Sequence, residues 1–323
     1  MKSRSLRLSL LLLLPIWFAA CSAPESTNGP LFRVDPAQLD EEVAFREVDD
    51  FVALGPRVAN TPGAERAAHY LLERLTALGV EGHIDTFDDP IHNETGTFHN
   101  VIGVIPGDLP RWIILGSHFD TLDGIEGFVG ANDSGSSTGL LLELGRVLNE
   151  AARDAVSFPT FILAFFDGEE AKVRYGPRDG LHGSRHYVRR LIEEGKRDKI
   201  RATIVLDMVG DRDLTLTLPR NVDPDLLRLT FRAAAEEGVR EKFSLAPGAI
   251  LDDHVPFLQA GIPAMNIIDF EFGSAPGLND YWHTLEDTMD KISAESLGIV
   301  GRVTLRMVQH LVEELQADAR RGR

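Results

Sequence analysis

Cysteine is nearly missing: Cys21 is the only one in 323 residues. That excludes an internal disulfide, a CxxC redox pair and a thiolate metal cluster, so a metal here must be held by histidine and carboxylates. Long hydrophobic runs are missing too. The N-terminal apolar stretch from Leu8 to Ala20 has 13 residues, short of the about 18 that a membrane-spanning helix needs. Positive charge is scarce: 33 Lys and Arg face 50 Asp and Glu, a net charge of −17. Such a surface repels phosphates and excludes a nucleic-acid role. What remains is ordinary for a globular protein, 43% hydrophobic and 26% charged. That excludes disorder throughout, a collagen-like repeat and a multi-span membrane protein.

The first residues carry an address. Lys2, Arg4 and Arg7 form a basic segment ahead of the apolar stretch, the pattern of a secretory signal peptide. Its end, Phe18-Ala19-Ala20-Cys21, resembles the lipobox of bacterial lipoproteins, with Phe18 in place of the usual Leu. The expectation is a signal peptide over 1–20 and a lipid anchor on Cys21. Residues 21–35 read as a tether and 36–318 as the working domain. The anchor places the protein in the bacterial cell envelope, membrane-attached and facing the periplasm or exterior.

From about Leu31 the chain shows no repeat and no second linker. Val101–Ile105, Trp112–Leu115, Phe161–Phe166 and Ala202–Leu206 are short apolar runs that read as buried strands. Helical spacing marks Ala64–Leu78, Thr138–Leu148, Ser184–Glu194 and Ser296 to about Ala317. This alternation predicts a single α/β domain: a twisted, mixed, mostly parallel sheet with helices on both faces. Ligands of such sheets bind beyond the carboxyl ends of the strands.

Polar residues gather at those ends. Arg111–Ser117 leads into His118-Phe119-Asp120, Phe161–Phe166 into Asp167-Gly168-Glu169-Glu170, and Thr203–Leu206 into Asp207. Two further segments carry Asp133, in Gly130-Ala131-Asn132-Asp133-Ser134-Gly135-Ser136, and His283, beside Trp282. Taken singly, each has a bland reading as a turn, cap or core residue. Together, His118, Asp133, Glu170, Asp207 and His283 form an O- and N-donor set of the kind zinc accepts. Adjacent acids at a buried strand end repel unless a cation or proton is shared. The pair Glu169–Glu170 therefore suggests that one binds a metal while its neighbour faces a substrate.

In order, these segments resemble the zinc aminopeptidase clan with cocatalytic metals, and within it the animal-type glutaminyl cyclases. The similarity runs from about residue 40 to 315. The blocks most like the cyclases are Phe165–Ala171, Leu181-His182-Gly183-Ser184-Arg185, Asp252–Leu258 and Trp282-His283-Thr284. The resemblance implies one zinc per chain on Asp133, Glu170 and His283, with His118 and Asp207 as a possible second site. It implies Glu169 as acid/base, Asp207 and Asp252 as its hydrogen-bonding partners, and Trp282 and Tyr175 in the substrate pocket. The implied substrates are peptides or proteins with N-terminal Gln, cyclised to pyroglutamate with loss of ammonia. Two departures stand out. Tyr175 replaces a pocket Trp of the animal enzymes, and their disulfide is absent.

Other activities fit parts of the pattern. A two-zinc aminopeptidase would use the same scaffold, although aminopeptidases generally have Ser where this chain has Asp252. Gly135-Ser136-Ser137-Thr138-Gly139 matches the GxSxG elbow of serine hydrolases but follows a loop rather than a strand. A surface lipoprotein that only binds is the remaining alternative.

Overall fold

The computed structural model describes residues 29–176 and 178–322; the expected signal peptide and Cys21 lie outside them. Among the described residues, eight strands and seven α-helices form. In chain order they are α1 (Glu41–Val52), α2 (Pro62–Ala77), β1 (Glu81–Ile91), β2 (Glu94–Ile105) and β3 (Leu109–His118). Then come α3 (Ser137–Ala152), β4 (Pro159–Phe166), α4 (His182–Glu193), β5 (Ile200–Asp207), β6 (Leu216–Leu218) and α5 (Pro224–Glu236). β7 (Phe243–Leu245), α6 (His254–Gln259), β8 (Ala264–Ile268) and α7 (Ala294–Arg321) complete the set.

The main sheet has the order β1-β2-β4-β3-β5-β8. β4, β3, β5 and β8 run parallel, and the β1–β2 hairpin joins β4 antiparallel. The expected mixed, mostly parallel sheet is what forms. Each central strand is apolar on both faces because both are covered. On β4, Phe161, Leu163 and Phe165 enter the larger core, shared with α1, α2, α3, α5 and α7. Ile162, Ala164 and Phe166 face the smaller core under α4 and α6. No helix among the described residues is long and apolar enough to cross a membrane.

The domain begins before residue 36. Residues 31–35 alternate between exposed and buried, with Phe32 wholly inside and stacked on Phe158 at 5.2 Å. The Val34 amide donates to Gln309 Oε1 of α7 at 2.8 Å. The tether assigned to 21–35 is therefore too long: a period-two apolar pair anchors its last residues to the fold.

Candidate active site

Three neighbouring strands deliver acids or histidine to one edge. β3 ends on His118, β5 ends on Asp207, and β4 continues into Asp167-Gly168-Glu169-Glu170. Asp133 comes from the turn before α3, which Gly130 makes possible. Its φ is +52°, and a Cβ there would lie 2.0 Å from the Asp133 carbonyl oxygen. His283 arrives on the loop after β8, itself in the left-handed region at φ +56°.

Two buried acids hold this backbone in place. The Asp120 carboxylate accepts the amides of Glu169 and Glu170 at 3.0 and 3.1 Å. Asp287 does the same for Asn132 and Asp133 at 2.7 and 3.1 Å. The wholly buried Arg57 donates to the carbonyls of Phe119, Val129 and Gly130, tying the loops after β3 together. These supports were beyond sequence reading. Asp120 also approaches His118 Nδ1 at 3.5 Å.

The five donors converge. His118 Nε2 lies 3.1 Å from Asp133 Oδ1 and 3.2 Å from Asp207 Oδ1. His283 Nε2 lies 3.2 Å from Asp133 Oδ2 and 3.0 Å from Glu170 Oε1. Two triads result, His118–Asp133–Asp207 and Asp133–Glu170–His283, sharing Asp133, and each has donor atoms within 4.8 Å of one another. Either could hold a metal ion.

The electrostatics point the same way. Burial opposes charge on His283, yet Asp133 and Glu170 lift its pKa to about 10. His118 is likewise disfavoured by burial and still raised well above the ordinary value by Asp120, Asp133 and Asp207. Burial raises Glu170 to about 7, with Asp133 adding to it and His283 opposing. For Asp133, burial is outweighed by its bonds to both histidines, and the carboxyl is held down. The acids thus require compensating positive charge, which the imidazoles supply by taking up protons. A divalent cation satisfies the same donors with the imidazoles neutral, so the residues fit a metal.

Beside the triads opens a cavity of about 280 Å³. Glu169, Asp207, Asp252, Tyr175 and Trp282 line it, with Ile250, Leu251, Ile268 and Phe270 as apolar wall. Trp282 stacks on His283 at 3.9 Å and meets Phe270 edge-on at 5.0 Å. All the residues assigned to the site from sequence therefore meet here, but not with the hydrogen bonds the resemblance implied. Glu169 Oε2 accepts from the Tyr175 hydroxyl at 3.0 Å. Asp207 bonds to His118, and Asp252 Oδ2 accepts from Asn266 of β8 at 2.5 Å. Each of the three carboxylates instead takes its hydrogen bond from a neighbouring donor. Burial raises Glu169 well above the ordinary range, and Glu170, Asp252 and Asp253 add to this against His118. Asp252 is raised to about 6 by burial, then by Asp207.

Ser137 is no nucleophile. It is wholly buried at the start of α3, donates to the Ser134 carbonyl at 3.1 Å and accepts from Ser117 at 2.8 Å.

Relatives share this architecture. The glutaminyl-peptide cyclotransferase of Drosophila melanogaster is 28% identical over 308 residues, 87% of this chain and 84% of its own. A glutaminyl cyclase from an Acidobacteriales bacterium superposes with a TM-score of 0.79 at 32% identity, over 91% of this chain and 100% of its own. A Zn-dependent exopeptidase from Parabacteroides distasonis gives 0.73 at 25%, over 84% and 98%. Residues 100–308 match the pattern of peptidase family M28 and take in both triads, and the chain belongs to that family.

Proposed function

We propose that this protein is a zinc-dependent glutaminyl-peptide cyclotransferase. The observation that carries it is the joint placement of Glu169 and Asp252 on one small cavity beside the Asp133–Glu170–His283 triad. Similarity to named cyclases supports it. The α-amine of an N-terminal Gln attacks its own γ-carbonyl carbon. A ring C–N bond forms, the side-chain amide bond breaks, and ammonia leaves. Asp133, Glu170 and His283 would hold zinc, which would supply a Lewis acid for the γ-carbonyl. Glu169 takes a proton from the attacking amine and delivers it to the departing nitrogen, a role worth about 10²–10⁴-fold. Trp282, Phe270 and Ile268 exclude water and hold the chain folded back on itself, so that positioning supplies much of the acceleration. Asp252, fixed by Asn266, takes hydrogen bonds from the nitrogen as it leaves.

A second reading rests on the other triad. His118, Asp133 and Asp207 could take a second zinc, as a metalloaminopeptidase requires, and the exopeptidase relative favours it. One assay separates them: pyroglutamate formation from a Gln-peptide beside release of residues from Leu- and Ala-peptides. Cyclisation without hydrolysis is expected; the reverse sinks the cyclase.

The anchor belongs to this proposal. Cys21 after Ala19-Ala20 supports lipid attachment at the cell envelope. Cys21→Ser is expected to leave the membrane fraction or to stay unprocessed. Normal cleavage with membrane retention would refute the anchor.

A further inference from the structure

Tyr175 reaches the site from the loop after β4, and its hydroxyl donates to Glu169 Oε2 at 3.0 Å and lies 3.4 Å from Glu170 Oε2. That loop has few apolar anchors, and Val173 is 73% exposed. It is organised instead around one carboxylate. Asp179, 2% exposed, accepts the amides of Lys172, Val173 and Arg174 at 2.7, 2.9 and 3.0 Å. A fourth partner comes from outside the loop: His92 Nε2 stands 2.7 Å from Asp179 Oδ2. His92 sits at the turn between β1 and β2 with φ +51°, and its amide donates to the Arg178 carbonyl at 3.2 Å. Three successive amides on one buried carboxylate leave residues 172–174 little freedom, and Tyr175 follows at once.

We propose that Asp179 and His92 are positioning residues that clamp residues 172–175, so that the Tyr175 hydroxyl holds the Glu169 carboxylate in its working orientation. The proposal rests on the cyclase reading of Glu169 and extends it to the edge hairpin. A free carboxylate has several rotamers, and only one faces the cavity usefully. A donor held by the clamp selects it. Neither Asp179 nor His92 touches the cavity, so their effect must pass through Tyr175.

A double-mutant cycle tests this. Tyr175→Phe is expected to lower kcat roughly tenfold, the range for losing a hydrogen bond to a charged group, with little change in KM. Asp179→Ala should lower kcat by a similar factor, and the double variant should be no slower than the slower single variant. His92→Ala, which removes only the partner that holds the Asp179 carboxylate from outside the loop, repeats the cycle if Asp179→Ala fails to fold. Amide hydrogen exchange at 172–174 should speed up in Asp179→Ala and His92→Ala but not in Tyr175→Phe. Multiplicative losses in the cycle, or unchanged exchange at 172–174, would overturn the clamp. If the wild type makes no pyroglutamate, the cyclase reading fails by itself. The exchange arm then still decides whether Asp179 and His92 hold the loop, and the cycle is read on peptide hydrolysis.

Discussion

Glu169 and Glu170 share a peptide bond, and Asp120 anchors both amides, yet their carboxylates have different company. Glu170 faces His283 at 3.0 Å, whereas Glu169 faces Tyr175 and the cavity. We predict that Glu170→Gln loses zinc and activity together, because it removes a charged ligand. Glu169→Gln should retain zinc and substrate affinity while turnover falls by about two to four orders of magnitude. Zinc content by elemental analysis, measured beside kcat, checks the assignment; equal metal loss in both variants would reverse it. Asp252 offers the matching test on the opposite wall. Asp252→Ser keeps a small polar group next to Asn266 but removes the carboxylate proposed to take hydrogen bonds from the leaving nitrogen. Pyroglutamate formation should fall sharply with zinc content and melting temperature preserved, and undiminished activity would reduce Asp252 to a turn residue.

Elements differ in how openly the sequence announces them. β3, β4 and β5 are apolar on both faces and end in acid or histidine, so their identity and their role at the site could be read together. α7 was equally plain from its spacing. α1 and α5 are less open in the sequence although their starts carry good caps: Asp40 accepts the amides of Glu42 and Val43, and Asp223 precedes Pro224 and accepts two amides. Of the β1–β2 hairpin the sequence announces only Val101–Ile105 of β2, because β1 lies at the sheet edge and carries polar residues along much of its length. The site divides the same way. Ligand types at strand ends are local facts, but the carboxylate of Asp287 closing on Asn132 depends on residues 155 apart in sequence. At this scale Phe32 makes a sharp test, because it looks like linker and packs like core. It lies 5.2 Å from Phe158 and 5.3 Å from Phe161. Phe32→Ala is expected to destabilise by about 3–5 kcal/mol, measured by urea unfolding. A change within about 0.5 kcal/mol would return residues 31–35 to the tether.

Over the whole molecule the excess of acid is partly buried, which makes stability depend on cations and on pH. Zinc that binds only the folded chain stabilises it by about 2.7 kcal/mol at a free concentration about 100-fold above Kd. Chelation should therefore lower the melting temperature by several degrees, and zinc should restore it where magnesium does not. An unchanged melting temperature after verified metal removal would count against a zinc centre. The pH dependence is tested best away from the proposed ligands. Burial raises Asp269 to about 7, despite the amides of Thr215 and Glu271, and raises Asp211 to about 6. Both values exceed the 3.8 of a free aspartate, so the folded state binds protons that the unfolded chain has released. Their contribution to stability is then undiminished below about pH 4, falls as pH rises through the window up to about 6 to 7, and stays lower above it. Asp211→Asn removes one of these ionisations while its side-chain oxygen can still accept from the Asp213 amide, bonded at 3.1 Å in the wild type. We predict that the melting temperature of the chelated variant, relative to chelated wild type, climbs between about pH 4 and pH 7 and then levels off. A difference that is flat across this window, or that shrinks with rising pH, would show that Asp211 ionises in the fold at least as freely as in solution.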